Sequence, residues 1–448
     1  MAASLGATSL ADVYHEGLDE ILRDLANVYP AGPDHESQLL GVPVLDALLE
    51  VFMQRTMGSS VDAPHQRLSR EQILTEDEEM LLRGDTNENV REPGEEPAAS
   101  GLPSNVLFAH SANRSKMPSP VVEISSSLSA SGKSQLLYYL IARAILPRSF
   151  GDNPVGGHEA AVVLLDTDDR FDAGVFRIVA RGVVQQAQDL TDSNGNNTAQ
   201  GPSDDELETI VSSALQHLHV FRPQSSSALL ATLCALDAYL FNLSRHYSGS
   251  RPLQMIALDS ITAFFWQDRL RDEIARTEDI GRPWAEIEQE REQKQSFYLS
   301  DLYAELVTKL KRLQGRFGCT VVYTATVSSG RPLTINSSHF SLGPYDRPPS
   351  RTPSLRPVLP APWGNFPTLR LVVHRDLVRS FPPAISAHDA RKDAPARQNI
   401  VREGKFSAWV NSWGREEWPR RVSDSVDALN GGCFSFYVGE TGIKIPPI

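Results

Sequence analysis

The stretch SSSLSASGKS (125–134) decides which fold this sequence can adopt. Its last three residues, Gly132, Lys133 and Ser134, match the end of a phosphate-binding loop, in which backbone N–H groups and a lysine surround an anion. The same pattern requires a glycine five residues before Gly132, and Ser127 occupies that position. The stretch is therefore a working nucleotide loop, a degenerate one, or a chance match in a serine-rich turn.

The segments around the loop favour a phosphate site over a chance match. An apolar run, VVEI (121–124), precedes it, and the segment SQLLYYLIARAIL (134–146) carries apolar residues at helical spacing. Repeated strand–helix units predict an α/β fold with a mainly parallel sheet flanked by helices. The further strand candidates are AAVVLLDTD (160–168), HLHVF (217–221), MIALDS (255–260) and CTVVYTA (319–325).

The composition limits the classes of function. The chain has 448 residues, of which 41% are hydrophobic, enough for one large domain with insertions or for two domains. A formal net charge of −13 excludes polyanion binding by the molecule as a whole, so nucleic acid would need a local patch. Cys234, Cys319 and Cys433 lack metal-ligand spacing and indicate reduced core thiols of an intracellular protein. The sequence suggests no membrane span and no signal peptide.

Changes in composition divide the chain into five parts. We expect an N-terminal helical lead-in, an acidic disordered insertion, an α/β core, a Pro/Ser-rich flexible loop and C-terminal β-hairpins that complete the core. In chain order these parts span 1–52, 53–117, 118–327, 328–362 and 363–448. Within them we expect an amphipathic helix at 9–29, a turn and short helix at 41–52, and a flexible insertion at 188–206.

Residue types near the loop predict a site for ATP and Mg²⁺. Lys133 would reach the β- and γ-phosphates, and Ser134 would offer its hydroxyl to Mg²⁺. Asp259 ends the strand MIALD and would orient a metal-bound water, unless it only caps the next helix. Asp168 would act as a general base, or serve as a solvated turn carboxylate or a helix cap. The predicted nucleotide-binding residues are Ser127, Leu128, Ser129, Ala130, Ser131, Gly132, Lys133 and Ser134.

Ser127 should weaken this site without abolishing it. If the first loop position takes a positive φ, a serine costs about 1 kcal/mol more there than a glycine. The lysine and the backbone N–H groups remain available to a phosphate.

Taken in order, these elements resemble the RecA-like strand-exchange recombinases. In that family a strand, phosphate loop and helix are followed by strands ending in DTE and DS and by a VVITNQV strand. The counterparts here are 121–140, LLDTD, LDS and VVYTATV (321–327), and GVPVLDALL (41–49) is similar to the family's lead-in. LLDTDDRFD, LDSITAFFWQDR and FYVGETGIKI most resemble a eukaryotic paralogue of the family. The resemblance implies a RecA-type P-loop ATPase core in which the 319–325 strand lies between the loop strand and the Asp259 strand.

The sequence departs from the family at positions that catalyse and that contact DNA. Family recombinases have a glutamate where Asp168 stands and a glutamine near Thr326, whereas 319–330 contains no glutamine. One family DNA-binding loop falls near 268–294, where nine Asp/Glu oppose six Lys/Arg and should repel phosphate.

A second family DNA-binding loop corresponds to 328–362. It is basic, and it predicts either weak contact with single-stranded DNA or a plain disordered linker. Its charged residues are Arg331, Arg347, Arg351 and Arg356 against Asp346.

The resemblance implies a role in DNA repair by homologous recombination. We expect a nuclear mediator subunit that binds ATP through a degenerate loop. It would form a hetero-oligomeric complex with other recombinase paralogues and reach single-stranded or branched DNA through that complex. The alternative is an active DNA-dependent ATPase that exchanges strands, so enzymatic activity stays open. An unrelated phosphate-loop kinase or transporter ATPase fits less well, because FFWQDR (264–269) and the C-terminal strands favour the recombinase class.

Overall fold

The computed structural model describes residues 39–58, 119–150, 153–193, 203–293, 297–327, 354–376, 378, 381 and 384–446. The chain divides into two units, one of Met1–Arg55 with Pro118–Ile448 and one of Thr56–Met117. All but the last turn of α1 below belongs to the first unit. The predicted helix at 9–29 and nearly all of the predicted acidic insertion lie outside the described residues. Among the residues that are described, no helix is both long and apolar enough to cross a membrane.

The described residues form helices and strands that follow one another from Pro43 onward. The helices are α1 (Pro43–Gly58), α2 (Lys133–Ile145), α3 (Ala173–Ser193), α4 (Asp204–Leu215), α5 (Ser226–Phe241), α6 (Phe265–Glu278), α7 (Trp284–Glu292), α8 (Leu299–Phe317), α9 (Ala361–Gly364), α10 (Ala387–Glu403) and α11 (Arg420–Ala428). The strands are β1 (Val121–Ser126), β2 (Ser149–Phe150), β3 (Asn153–Pro154), β4 (Ala161–Asp166), β5 (Leu218–Phe221), β6 (Leu253–Asp259), β7 (Thr320–Thr326), β8 (Leu369–Arg375), β9 (Lys405–Val410), β10 (Phe434–Gly439) and β11 (Gly442–Lys444).

The main sheet has the order β11–β10–β9–β8–β1–β7–β6–β4–β5. Neighbouring strands from β8 to β5 are parallel, and β9, β10 and β11 are antiparallel to their neighbours. The expected α/β fold with a mainly parallel sheet is confirmed, and β7 lies between β1 and β6. Because the carboxyl ends of parallel strands meet at one edge, the loops after β1, β4, β6 and β7 converge there.

Strand residues alternate between two apolar cores on the two faces of the sheet. In β1, Val122 and Ile124 belong to the core that also contains residues of α1, α2, α3 and α4. Val121 belongs to the opposite core, with residues of α5 and α8 and with Trp363. Both faces are therefore covered, which explains why these strands read as unbroken apolar runs in the sequence.

The flexible insertion predicted at 188–206 is wrong at both ends. Helix α3 continues through Ser193, and α4 is capped by Ser203 in a capping box. The Ser203 N–H donates to the Glu206 carboxylate at 2.7 Å, and the Glu206 N–H donates back to the Ser203 hydroxyl at 3.4 Å. The polar composition of this stretch concealed a helix start, and residues 194–202 lie outside the described part.

The flexible loop predicted at 328–362 is wrong for its last residues. Leu355 is buried beside Val327, Val372 and Trp409. Its backbone N–H donates to the side-chain oxygen of Asn411 at 3.1 Å, and its carbonyl accepts from the side-chain amide of the same residue at 2.7 Å. Leu355 therefore anchors this part of the predicted loop to the sheet. The arginines at 331, 347 and 351 lie outside the described residues.

Two other expectations need correction. The predicted C-terminal hairpins are wrong except for β10–β11, because α10 joins β8 to β9 and α11 joins β9 to β10. Helix α10 buries none of its residues, so no apolar period marked it in the sequence. The segment 268–294, expected as a DNA-binding loop, forms most of α6 and all of α7 instead.

We expect Trp363→Ala to lower the free energy of unfolding by about 3–5 kcal/mol, the usual cost of deleting a buried large aromatic side chain. Trp363 is 1% exposed and packs edge-on against Tyr303, Tyr323 and Phe366. Denaturant unfolding followed by circular dichroism measures the loss. Trp284→Ala is the matched control, since Trp284 is 69% exposed. Equal losses in both variants would contradict the burial of Trp363.

A second prediction concerns Asp46 in α1, whose carboxylate accepts the Leu40 N–H at 2.8 Å. Burial raises the pKa of Asp46 from 3.8 to about 6. A folded-state pKa above the unfolded value means that this group's contribution to stability is present below pH 4 and is lost as pH rises towards 6. Asp46→Asn keeps the acceptor and removes the charge, so it should stabilise the protein at pH 7 by about 1 kcal/mol after allowance for solvent screening.

The advantage of Asp46→Asn over the wild type should disappear in denaturant titrations at pH 4. A stability difference that stays constant between pH 4 and pH 7 would show that ionisation of Asp46 costs nothing.

Candidate nucleotide-binding site

The predicted phosphate loop joins β1 to α2. Strand β1 is buried along its whole length, and α2 begins at Lys133 with Gly132 as its N-cap. The first four N–H groups of a helix have no intrahelical partner, so the start of α2 offers donors and partial positive charge to an anion. Ser134 is the second residue of this helix and is half-buried. The local structure is that of the strand–loop–helix expected from the sequence.

Lys133 is buried inside the loop. Its amine donates to the Ser126 hydroxyl at 2.6 Å and lies 3.4 Å from both the Leu128 carbonyl and the Ser131 hydroxyl. The Ser131 hydroxyl also donates to Ser126 at 2.7 Å, and the Ser126 hydroxyl donates to the Leu128 carbonyl at 2.7 Å. The loop's own oxygens thus hold the positive charge at its centre.

A side chain at Gly132 would force the neighbouring aromatic rings to shift. Its φ is +91°, and a Cβ atom there would lie 2.7 Å from the Phe406 ring and 3.1 Å from the Phe436 ring. The two rings stack with centroids 5.2 Å apart. Strands β9 and β10 therefore press on the end of the phosphate loop and limit its shape.

The backbone strain expected at Ser127 is found at another residue of the loop. The positive φ values within the loop belong to Ala130, at +55°, and to Gly132. Ser127 has negative φ, so the predicted cost of replacing glycine there was wrong. Ala130 bears a left-handed conformation instead, at a cost of about 1 kcal/mol.

Asp259 ends β6 at the same edge of the sheet. Its carboxylate accepts the Thr324 hydroxyl hydrogen of β7 at 2.5 Å, and it stands in register with Asp166 of β4. Asp259 is buried, as is Asp166. A buried carboxylate beside the loop is suited to a magnesium ion, which prefers oxygen ligands.

Asp166 has a structural role that fixes the turn after β4. Its carboxylate accepts the N–H groups of Arg170 at 3.1 Å and Phe171 at 2.9 Å. Within this turn, the Asp168 N–H donates to the Asp259 carbonyl at 3.3 Å. These contacts tie Asp168 to the end of β6, so two of the predicted site residues are brought together through the backbone.

The charges of the site act on one another. Although Asp168 is exposed overall, partial burial of its carboxyl group raises its pKa, and the negative charge of Asp259 raises it further, while Arg170 and Lys133 lower it. Burial lowers the pKa of Lys133, and Asp259 and Asp168 raise it. A lysine between two carboxylates forms the electrostatic core of the site. The raised pKa makes Asp168 a stronger proton acceptor than an ordinary aspartate.

Sequence reasoning missed three residues of this site: Arg170, Thr324 and Phe406. Arg170 lies within the LLDTDDRFD motif and could have been noticed there as the cation nearest to Asp168. Thr324 and Phe406 carry no local signal, because their partners Asp259 and Gly132 are far away in the chain.

The family's glutamine position has no counterpart in the structure. Thr326, at the end of β7, is exposed, and its N–H donates to the Thr262 hydroxyl at 3.0 Å. The backbone N–H at the end of β7 is thus bonded to a threonine hydroxyl from the segment after β6. A longer glutamine side chain was expected at this edge of the sheet.

The residues present suit a nucleoside polyphosphate. A buried amine, a glycine with no room for a Cβ and the free N–H groups of a helix start are concentrated in eight residues. Across the described part of the chain, no group of three or more His, Cys, Asp or Glu is arranged to hold a metal by itself. Magnesium at this edge would therefore need ligands from water or from phosphates, as it commonly does.

The amino-acid sequence is similar to those of known DNA repair proteins. No protein-family model matches the chain. The DNA repair protein XRCC2 homolog of Arabidopsis thaliana is 24% identical over 275 residues, which cover 57% of this chain and 68% of that protein. The DNA repair protein XRCC2 of Mus musculus is 33% identical over 140 residues, 31% of this chain and 39% of the mouse protein.

An archaeal protein is also similar. The DNA repair and recombination protein RadA of Halobacterium salinarum is 29% identical over 175 residues, 38% of this chain and 44% of RadA. The matches thus span less than half of the mouse and archaeal proteins. Together they confirm the resemblance to RecA-family recombinase paralogues and support an XRCC2-like paralogue.

We expect Lys133→Ala to weaken ATP binding about 10- to 100-fold. The substitution removes a charge-assisted phosphate contact worth roughly 1.5–3 kcal/mol. Isothermal titration of the purified chain with ATP and Mg²⁺ measures the change. Lys392→Ala on α10, where Lys392 is exposed, is the matched control and should bind as the wild type does. If the Lys133 variant bound ATP as tightly as the wild type, the loop would not be part of the nucleotide-binding site.

Proposed function

We propose that this protein acts in DNA repair by homologous recombination, as a recombinase-paralogue mediator that binds ATP through its degenerate phosphate loop. The observation that carries the proposal is the buried Lys133 amine within a loop between β1 and α2, at the sheet edge shared with Asp259. The likeness to XRCC2 and RadA proteins supports the biological process.

The nucleotide would be held by the loop residues 127–134. Lys133 would contact the terminal phosphates, and the N–H groups that begin α2 would surround them. Ser134 and Asp259 would supply oxygen atoms for Mg²⁺. When bound, Mg²⁺–ATP supplies a phosphoanhydride whose charge the metal partly neutralises. The chain's own contribution is to bind and orient it.

The mediator role is favoured over strand exchange by three features. Asp168 has one methylene fewer than the glutamate of family recombinases, which shortens its reach to an attacking water. Thr326 stands near the position of the family's glutamine, and its backbone N–H donates to the Thr262 hydroxyl. The helices α6 and α7 replace a DNA-binding loop and carry an excess of acidic residues.

A second candidate function is an active DNA-dependent ATPase. The observation in its favour is the convergence of Asp168, Lys133 and Asp259, with the pKa of Asp168 raised by burial and by Asp259. An ATPase assay with and without single-stranded DNA separates the two functions, with Asp168→Asn as the catalytic control. DNA-stimulated turnover of about 1 s⁻¹ or faster, lost in that variant, would establish the enzyme and exclude the purely binding role.

The proposed partners are other recombinase paralogues in a hetero-oligomeric complex. Single-stranded or branched DNA would be contacted through that complex, because this chain has a net charge of −13. Such a role places the protein in the nucleus. A partner that binds only the folded chain would also raise its apparent stability.

We expect co-expression with recombinase paralogues to give a stoichiometric complex that elutes as one peak on a sizing column. Lys133→Ala should leave this complex intact, because Lys133 is buried within the loop and the proposed docking does not require hydrolysis. Deletion of 60–110 should also leave it intact, since that acidic, Pro/Glu-rich stretch has too little apolar content for a large interface. A chain that stays monomeric with every paralogue, or a complex lost with 60–110, would count against the proposal.

A further inference from the structure

Helix α6 is packed with its polar face inward. Asp268 and Asp272 are buried, together with Phe265 at its start. Trp266, Leu270 and Ile274 are 59%, 58% and 50% exposed. Their spacing of four residues places these three side chains along one side of the helix. A surface helix ordinarily turns such an apolar stripe towards the core.

The buried carboxylates show that this orientation is specified by contacts. Asp268 accepts the hydroxyl hydrogen of Ser226, the first residue of α5. Asp272 accepts the Leu299 N–H at the start of α8 at 2.8 Å and pairs with Arg276 at 2.9 Å. Rotating α6 to bury its apolar stripe would break these bonds and leave Ser226 and the Leu299 N–H without them. The stripe is therefore held outward by the polar anchoring of the helix.

The stripe borders a pocket between α6 and the segment that follows it. This pocket has a volume of about 330 Å³. Ile274 belongs to both the stripe and the pocket, whose other lining residues include Arg271, Glu278, Glu290 and Phe297. The exposed apolar side chains thus adjoin a concave surface that can receive a side chain from another molecule.

The arginines around this surface already have partners. Arg269 pairs with Glu273 at 3.1 Å, Arg282 with Glu290 and Arg291 with Asp301. The Arg271 guanidinium lies over the Phe297 ring, 4.6 Å from its centroid.

Helices α6 and α7 carry more acidic than basic residues. They contain eight Asp or Glu, among them Glu278, Glu286 and Glu288, against four arginines. The surface therefore combines an apolar stripe with net negative charge.

We propose that the α6 stripe is a docking surface for a basic amphipathic helix of a partner protein. The apolar side of that helix would cover Trp266, Leu270 and Ile274, and its lysines or arginines would lie near Glu278 and Glu288. Helix-in-groove recognition uses this combination of spaced apolar anchors and flanking charges. The proposal goes beyond the proposed function, since it depends on neither ATP nor recombination.

Other occupants fit the charges less well. A second copy of this chain would bring the same carboxylates to the contact, and like charges repel. Single-stranded DNA could stack on Trp266, but its phosphates would face the acidic residues. The chain's own predicted helix at 9–29 has an excess of acidic residues and is excluded on the same ground.

The test uses the purified full-length chain and a fluorescein-labelled, 18-residue model helix of leucine and lysine, followed by anisotropy. The same helix with glutamate in place of lysine is the second probe. The wild type should bind the lysine peptide at least tenfold more tightly than the glutamate peptide. Leu270→Ser should weaken this binding at least tenfold, whereas Leu243→Ser, at a residue that is 62% exposed outside the surface, should not change it.

A charge swap makes the test specific to this site. The double variant Glu278→Lys, Glu288→Lys should reverse the preference and bind the glutamate peptide more tightly. Three results would overturn the proposal: equal loss in the Leu270 and Leu243 variants, equal binding of both peptides, or binding of oligo-dT or of a second copy that Leu270→Ser abolishes. Because the probes involve neither nucleotide nor a paralogue, none of these results would decide the proposed function.

Discussion

Gly132 has room for a hydrogen atom and for nothing larger, and the geometry of the candidate site depends on that contact. The stacked rings of Phe406 and Phe436 occupy the space where a Cβ would stand. Strands β9 and β10 are thus part of the phosphate loop's support, although they follow it by more than two hundred residues. The antiparallel extension of the sheet does more than cover an edge, because it fixes the backbone from which Lys133 and α2 begin.

The second constraint is electrostatic. Lys133 is buried, and burial alone would lower its pKa and favour loss of its proton. The carboxylates of Asp259 and Asp168 oppose this effect in part, although the pKa of Lys133 stays below its ordinary value. Asp259 at the end of β6 and Asp168 in the turn after β4 thus interact with the charge of Lys133, while Asp166 holds that turn. The positive charge of Lys133 is thus opposed by carboxylates that belong to the same site.

The departures from the recombinase pattern are concentrated at exposed positions. Thr326 and Asp168 are exposed, and α6 turns Trp266 and Leu270 to solvent. In the buried framework, β7 lies between β1 and β6, as the resemblance to a RecA-like core led us to expect. The size and shape of a buried side chain are constrained by the neighbours packed around it. The identity of an exposed side chain depends more on function. The buried strands thus match the expected core, whereas the differences from the recombinase pattern lie at exposed positions.

The sequence by itself determined the α/β class, the strand–loop–helix at 121–146 and the strand ends that carry Asp168 and Asp259. These features depend on apolar periodicity and on short motifs, which act over a few residues. The position of β7 between β1 and β6 came from the family resemblance. Local composition also gave a wrong prediction. The polar stretch at 188–206 was predicted to be flexible, although helices occupy both of its ends.

Tertiary structure alone decided the rest. The packing of Leu355 depends on Asn411, the shape at Gly132 on Phe406, and the inward rotation of Asp268 on Ser226. Helix α10 has no apolar face, so the sequence pattern did not predict it and only the structure shows a helix between β8 and β9. In each case the partner lies tens or hundreds of residues away, and a local pattern contains no information about which distant side chain will satisfy a buried polar group or fill a gap beside a glycine.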